Sequence, residues 1–204
     1  MSKTLYQFCK LYASKQKKLS QPEIDRRRDI VMEGIYKFLG KKELKPSEIQ
    51  AFTEKNFNKI YALIDEQFFD NQLRKEMEKS KCCLKICLEN RCTSVGGKCW
   101  RRGKHFVIKL SSKVFIKTFE DAKVKARAVG KVPCDTLIKC ILLILEHELI
   151  HAVVGCNCLE YEESKTAPGI FKSESHPKSG HSVTFMSILN NRFGHTTRFH
   201  QLYG

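Results

Sequence analysis

The pentapeptide His147-Glu148-Leu149-Ile150-His151 has the HExxH pattern and lies in a segment, 137–153, that is apolar around most of a helix circumference. Such a helix is expected to be buried. Residues advance by about 100° on a helix, so the two histidines share a face one turn apart and can both reach a Zn²⁺ ion. Glu148 is offset toward the position of the attacking water and is the candidate general base. The alternative is a buried helix whose histidine and glutamate side chains bind only each other.

A catalytic zinc site also needs a third protein ligand. The downstream candidates are His176, His181, His195 and His200. Local sequence favours His181, because it directly precedes an amphipathic pattern that predicts a helix from about Val183. His176 precedes Pro177 in a loop rich in Ser, Lys and Pro and is the less rigid choice.

These motifs resemble the SprT-like metalloprotease domain, including its Spartan branch of DNA-dependent proteases. The residues that carry the resemblance are HELIHA at 147–152, Gly180-His181 with Phe185, Ile64–Phe69 with Leu73, Gly97-Lys98-Cys99, and Ile108–Ser111. The likeness covers residues 46–204 and keeps the order of the motifs. The connection between His151 and His181 is longer than is usual in the family, with an insert at 156–179 that we hypothesise to act as a lid.

The resemblance implies an α+β, zincin-like fold in which a small antiparallel sheet packs against the HExxH helix. It implies a domain at 46–204 preceded by a basic helical extension at 1–45. It also implies one catalytic zinc ion held by His147, His151 and His181, with Glu148 as the base. The implied activity is hydrolysis of peptide bonds, and the implied role is DNA repair by digestion of proteins crosslinked to DNA.

Local patterns outside the motif predict further elements. Residues 1–40 are expected to form helices with a break near Ser20-Gln21-Pro22 and an end at Gly40. Strands are expected at 83–88 and within 93–110, with a hairpin turn at 101–104. Residues 112–131 are expected to form a lysine-rich connection, and Gly155 to end the HExxH helix.

The net charge of +15 is concentrated in one part of the chain, since residues 71–131 contain 17 Lys and Arg against five Asp and Glu. A concentrated basic surface suits a polyanion such as DNA, with single-stranded DNA among the candidates, although a solvated face kept for solubility is the alternative. Two clusters are candidates for nucleic-acid contact. The first is the hairpin with Trp100, Arg101, Arg102 and Lys104, where a core tryptophan is an equal alternative. The second is Arg26, Arg27 and Arg28, for which a solvated helix face is favoured.

The longest apolar run, Ile141–Leu145, is too short to cross a bilayer, and the N-terminus lacks the apolar region of a secretory signal. We therefore expect an intracellular protein of the nucleus or cytoplasm that is not secreted. The ten cysteines are expected to be reduced and mostly buried. A second metal site within the Cys-rich segment 82–99 is the less favoured alternative, because no Cys-x₂-Cys pair occurs there.

Three functions remain open from the sequence. The first is a zinc metalloprotease associated with DNA that acts on protein substrates. The second is a basic DNA-binding protein without enzymatic activity, in which zinc is structural. The third is a zinc peptidase that is indifferent to nucleic acid.

Overall fold

The computed structural model describes residues 4–92, 94–121, 124, 126–163 and 181–202. Its helices are α1 (Thr4–Ala13), α2 (Gln21–Leu39), α3 (Glu54–Phe69), α4 (Leu73–Lys79), α5 (Ser112–Glu120), α6 (Leu137–Glu163) and α7 (Val183–Phe193), with short 3₁₀ turns at Lys15–Lys17 and Pro46–Ala51. Its strands are β1 (Cys83–Glu89), β2 (Gly97–Arg102), β3 (His105–Ser111), β4 (Ala128–Val129), β5 (Val132–Pro133) and β6 (His200–Gln201). The protein is thus of mixed α+β class, as predicted.

The larger sheet has the strand order β1-β3-β2. The expectation of a wholly antiparallel sheet is wrong, because β1 pairs with β3 in parallel while β2 pairs with β3 antiparallel. The tight turn at Gly103 forces β2 and β3 into an antiparallel hairpin, as predicted. Strand β1 instead adds to the far side of β3, and β2 is left as an edge of this sheet.

The HExxH helix α6 packs against this sheet and is buried through its whole apolar stretch. The prediction that Gly155 ends the helix is wrong, because α6 continues to Glu163. A Cβ atom at Gly155 would lie 2.9 Å from Cε1 of Phe106 on β3. The glycine therefore serves close helix–sheet packing rather than helix termination.

A short second sheet positions the C-terminal residues. Strand β4 pairs with β5 on one side and with β6 on the other, and Val129 lies opposite His200. Residues 112–120, expected to be part of a connection, form helix α5 instead, with the Ser111 hydroxyl accepting a hydrogen bond from the Val114 N–H.

Helix α2 begins and ends where predicted, with Ser20 preceding it and Gly40 following it at φ 71°. Helix α1 ends at Ala13, before the expected break. Both helices share the hydrophobic core of the remaining chain, through residues such as Phe8, Ile24 and Val31. The Asn191 side chain of α7 donates to the backbone carbonyls of Tyr12, Ala13 and Ser14, at 3.3, 3.0 and 3.1 Å. Helices α1 and α2, which belong to the expected extension at 1–45, therefore pack against the rest of the folded chain.

Candidate metal centre and cleft

Three histidines converge at the middle of the molecule. His147 and His151 extend from successive turns of α6, and His181 lies just before α7, whose first turn is capped by the Ser182 hydroxyl. One ring nitrogen from each of the three lies within 4.8 Å of the others. The Nε2 atoms of His147 and His181 are 3.1 Å apart. The predicted ligand set is therefore brought together, and it could hold a metal ion.

The Phe185 ring packs against all three imidazoles. Its centroid lies 5.1 Å from that of His147, 4.3 Å from that of His151 and 4.8 Å from that of His181. Phe185 is fully buried in the first turn of α7. One aromatic ring thus restricts the rotamers of the whole histidine cluster.

Burial lowers the pKa of His147, and the neighbouring His200 and His151 lower it further. Burial also lowers the pKa of His151, to about 3, with His181 and His200 contributing. Neutral imidazoles keep a lone pair available for a cation. The convergent nitrogens of His147 and His181 are their Nε2 atoms. The neutral rings of His147 and His151 therefore offer lone pairs to a cation.

Glu148 lies beside the cluster, on the side of α6 that faces strand β2. Burial raises the pKa of its carboxyl to about 8, although the backbone N–H of Cys99 partly offsets this effect. The strand approaches so closely that a Cβ at Gly97 would lie 2.8 Å from Cγ of Glu148. A buried carboxyl with a raised pKa is a suitable proton acceptor near neutral pH.

His200 is a fourth histidine in the site, delivered by the pairing of β6 with β4. Its ring centroid lies 4.6 Å from that of His147. Its Nε2 is buried, and no hydrogen-bond partner for it exists among the described residues. It does not belong to the group whose ligand atoms converge. His200 was one of the candidate ligands from the sequence. The structure places it beside the three converging histidines and not among them.

His195 is also not a ligand. Its Nε2 lies 3.0 Å from Oε2 of Glu146, which in turn binds the Arg28 guanidinium. All three side chains are buried. The acidic residue directly before the HExxH motif is the one local signal for this set, and no local signal indicates its partners. His176, the remaining candidate ligand, lies outside the described residues.

The prediction that Arg28 contacts nucleic acid is therefore wrong, because Arg28 is 3% exposed and bound to Glu146. The nearby Arg26 and Arg27 bind the Glu23 carboxylate, with Nε–O distances of 2.9 and 2.7 Å. Arg27 also donates to the backbone carbonyl of Gln67. The charges of Arg26 and Arg27 are thus paired within α2, by Glu23.

The hairpin candidates are placed differently. Trp100 is 53% exposed, which excludes the alternative of a core tryptophan. The Nζ atom of Lys98 lies 4.2 Å from the centroid of its ring. Arg101, Arg102 and Lys104 are exposed on the same hairpin, where Lys104 donates to the Ser80 carbonyl at 3.2 Å. The structure thus brings all four hairpin candidates to one exposed element.

The histidine cluster and Glu148 line a cleft of about 930 Å³. One wall is formed by β2 and the residues before it, and a second by Arg198, Phe199, His200 and Leu202. The edge strand therefore runs along the cleft, beside the candidate base.

The cysteines only partly match expectation. Cys82, directly before β1, forms a disulfide with Cys156 of α6, so the prediction of reduced thiols is wrong for this pair. Cys9, Cys134 and Cys140 are buried free thiols, while Cys83 is exposed. Among the described residues, only the three histidines form a convergent group of metal-binding side chains, and the Cys-rich segment 82–99 does not.

In the part of the chain that the structure describes, no helix is both long and apolar enough to cross a membrane. Comparisons with protein-family models, with curated proteins and with solved structures found no match to this chain.

Proposed function

We propose that the protein is a zinc-dependent metalloprotease that acts on protein substrates in association with DNA. The observation that carries this proposal is the convergence of His147, His151 and His181 beside the buried carboxyl of Glu148 in an open cleft. The SprT-like resemblance of the motifs supports the same activity.

The donor set fits zinc. Two nitrogens that each bind zinc at about 2.0–2.1 Å in a tetrahedral site are about 3.3 Å apart. The observed separation of 3.1 Å between Nε2 of His147 and Nε2 of His181 is close to that value. Three imidazoles, with no further convergent side chain among the described residues, leave a coordination position for a reactant, as in catalytic zinc sites.

When bound, zinc supplies Lewis-acid activation of water and of the scissile carbonyl. Glu148 accepts a proton as the water oxygen attacks the carbonyl carbon. It then donates that proton to the amine nitrogen as the C–N bond breaks. Burial raises the pKa of the Glu148 carboxyl, which makes its ionised form a stronger base and its protonated form available as an acid. Phe185 packs against all three imidazoles and limits their movement.

The substrate is proposed to bind as an extended polypeptide. Among the described residues, β2 pairs only with β3, so its outer edge carries unpaired backbone groups. An extended chain can add to such an edge by main-chain hydrogen bonds. This mode places a peptide bond beside Glu148, which contacts the same strand.

The association with DNA is proposed from the hairpin. An exposed tryptophan with Nζ of Lys98 over its ring, on a hairpin that also exposes Arg101 and Arg102, combines a stacking surface with positive charge. Unpaired bases stack on aromatic side chains, and basic side chains bind the phosphates. Single-stranded DNA is therefore the nucleic acid that suits this surface best.

One assay tests the proposal. Wild type, Glu148→Gln and the control Glu78→Gln, which changes an exposed glutamate on α4, are loaded with zinc and incubated with an unfolded protein substrate. Cleavage is measured with and without chelator and single-stranded DNA. We expect cleavage by wild type and by Glu78→Gln, stimulated by DNA and abolished by chelator, and none by Glu148→Gln.

Other results select other functions. DNA binding without any cleavage would favour a DNA-binding protein with a structural metal. Cleavage that is the same with and without DNA would favour a peptidase acting on free proteins.

A further inference from the structure

We propose that the cleft selects acidic segments of polypeptide. This inference rests on the proposed protease function and names the substrate class for the same site. It comes from the charges that line the two walls of the cleft.

The lining carries cations on both walls. Lys98 and Arg101 belong to the edge strand β2, and Arg198 lies on the second wall, shortly before β6. The histidine cluster lines the same cleft. Among the described residues that line the cleft, Glu148 is the only carboxylate, and it is buried beside the cluster. The cleft is therefore positive at its rim and has no exposed acidic group among those residues.

Lys98 and Arg198 each lie beside an aromatic ring. The Nζ of Lys98 lies over the Trp100 ring, and the Cζ of Arg198 lies 5.3 Å from the centroid of Phe199, which is 67% exposed. Within the described part of the chain, neither Lys98 nor Arg198 forms an ion pair with a carboxylate. A ring face orients a cation without neutralising it. Among these residues, no carboxylate therefore offsets the charge of either side chain.

Arg101 contributes from the same strand. Its Nη1 donates to the carbonyl of Gly155 on α6 at 3.4 Å, which directs the guanidinium toward the cleft. Lys98 and Arg101 are three positions apart on β2, so they extend from opposite faces of the strand. A substrate paired with β2 would meet one cation on each face.

The edge strand favours a polypeptide over a nucleic acid as the occupant. Backbone N–H and C=O groups along β2 can pair with an extended peptide, whereas a sugar–phosphate backbone has no matching ladder of donors and acceptors. Trp100 and Arg102, the residues best placed for nucleic acid, do not line the cleft. Acidic side chains on either side of the scissile bond therefore complement the two walls.

The test uses peptides of equal length with the same uncharged centre, flanked by Glu, Gln or Lys. Zinc-loaded wild type is compared with Lys98→Gln/Arg198→Gln and with Lys55→Gln/Lys75→Gln, which removes two exposed charges that do not line the cleft. We expect kcat/KM to be about tenfold higher for the Glu-flanked than for the Gln-flanked peptide at low salt, and lowest for the Lys-flanked peptide. The preference should fall with salt and in the cleft double variant, and remain in the control.

Binding provides a readout that is independent of catalysis. Fluorescence anisotropy of the labelled peptides is measured with zinc-loaded Glu148→Gln, with and without the Lys98→Gln/Arg198→Gln changes. We expect the same order of affinities as for cleavage. Equal affinities, or a preference for Lys-flanked peptide, would overturn the inference whether or not the protein is a protease.

Two outcomes separate the inference from its premise. Selective binding of acidic peptide without cleavage by wild type would support the inference and reject the protease function. If the cleft double variant instead weakens single-stranded DNA binding and leaves the order of peptides unchanged, the cations serve nucleic acid and the inference fails.

Discussion

Arg28 donates from Nε and Nη2 to the two carboxylate oxygens of Glu146, at 3.0 and 2.9 Å. The two residues are 118 positions apart, and both are buried. Nη2 of Arg28 also donates to the backbone carbonyl of Phe193 at 2.7 Å. One guanidinium thus joins the N-terminal helix α2, the helix of the metal centre and the end of α7.

Replacing Arg28 by Met should destabilise the protein by about 3–5 kcal/mol, because Glu146 would remain buried without its cation. The free energy of unfolding is measured by urea titration. Arg26→Met is the matched control, since Arg26 is exposed and pairs only with Glu23 on its own helix, and we expect a change within about 1 kcal/mol. Arg28→Met/Glu146→Leu should recover part of the loss. Equal effects of the two single changes would contradict a special role for the buried pair.

The fate of Arg28 shows what the sequence can and cannot predict here. The spacing of His147 and His151 fixes their common face, because helix geometry is local and regular. His181 was also predictable, since it directly precedes an amphipathic segment. Arg28 lies four positions after Ile24 and three before Val31, so helix periodicity alone places it on the buried apolar face of α2 and separates it from Arg26 and Arg27. Its partners Glu146 and Phe193 are distant in the sequence, and only folding brings them to Arg28.

The larger sheet also could be predicted only in part from local sequence. The hairpin from β2 to β3 follows from alternation and a turn with Gly103, which are local signals. The parallel addition of β1 depends on which edge of β3 remains open after the hairpin forms, and no local pattern encodes that choice. The disulfide is a further case, because Cys82 and Cys156 are 74 positions apart and are adjacent only in the folded protein.

The buried pair of His195 and Glu146 predicts acid-sensitive stability. Burial lowers the pKa of His195, and Glu146 only partly offsets the effect. The unfolded chain, with a histidine pKa of about 6.5, therefore takes up a proton that the folded protein does not. The contribution to stability is complete above that pH and is lost as the pH falls toward the folded pKa.

His195→Gln should remove this component in metal-free protein. Below about pH 6, we expect its unfolding free energy to fall less steeply than that of wild type, by about 1.4 kcal/mol per pH unit. Urea titrations between pH 7 and 5 in the presence of chelator measure both slopes. Parallel slopes would mean that His195 is protonated in the folded protein.

The position of His200 predicts a division of roles among the four histidines. We expect wild type to bind one zinc ion per chain. His151→Ala and His181→Ala should each weaken zinc binding by at least about 100-fold, because each removes a ligand. His200→Asn should keep the stoichiometry and weaken binding by less than tenfold, about 1.4 kcal/mol. Metal content after dialysis and competition with a chromophoric chelator measure these values. Loss of the ion in His200→Asn would make His200 a ligand.

The Cys82–Cys156 disulfide closes a loop of 74 residues and ties β1 to α6, five positions after His151. In the loop-entropy treatment, a crosslink of this span stabilises a fold by about 4 kcal/mol. Cys156→Ser should therefore lower the unfolding free energy by about 2–4 kcal/mol. Cys83→Ser, which changes the adjacent exposed free thiol, should have little effect. Thermal melts with and without reductant provide the check. If the wild-type Tm is the same in both conditions, the disulfide does not contribute to thermal stability.

Gly97 sets the distance between β2 and Glu148. A Cβ at this position would lie 2.6 Å from Cγ2 of Ile144 and 2.8 Å from Cγ of Glu148, so either the strand or the carboxylate must move. Gly97→Ala should cost about 1–3 kcal/mol in stability, as overpacked cores do. It should also lower kcat/KM by at least about tenfold, because small displacements of a catalytic group are costly.

Gly34→Ala is the matched control for Gly97→Ala. Its Cβ would lie 2.6 Å from Cδ1 of Leu63, a comparable overlap that involves no residue of the cleft. The methyl group also favours the helical conformation by about 1 kcal/mol, which offsets part of the strain. We expect full activity in Gly34→Ala and impaired activity in Gly97→Ala, measured on the same unfolded substrate. If Gly97→Ala retains full activity, the contact between β2 and Glu148 does not position the base.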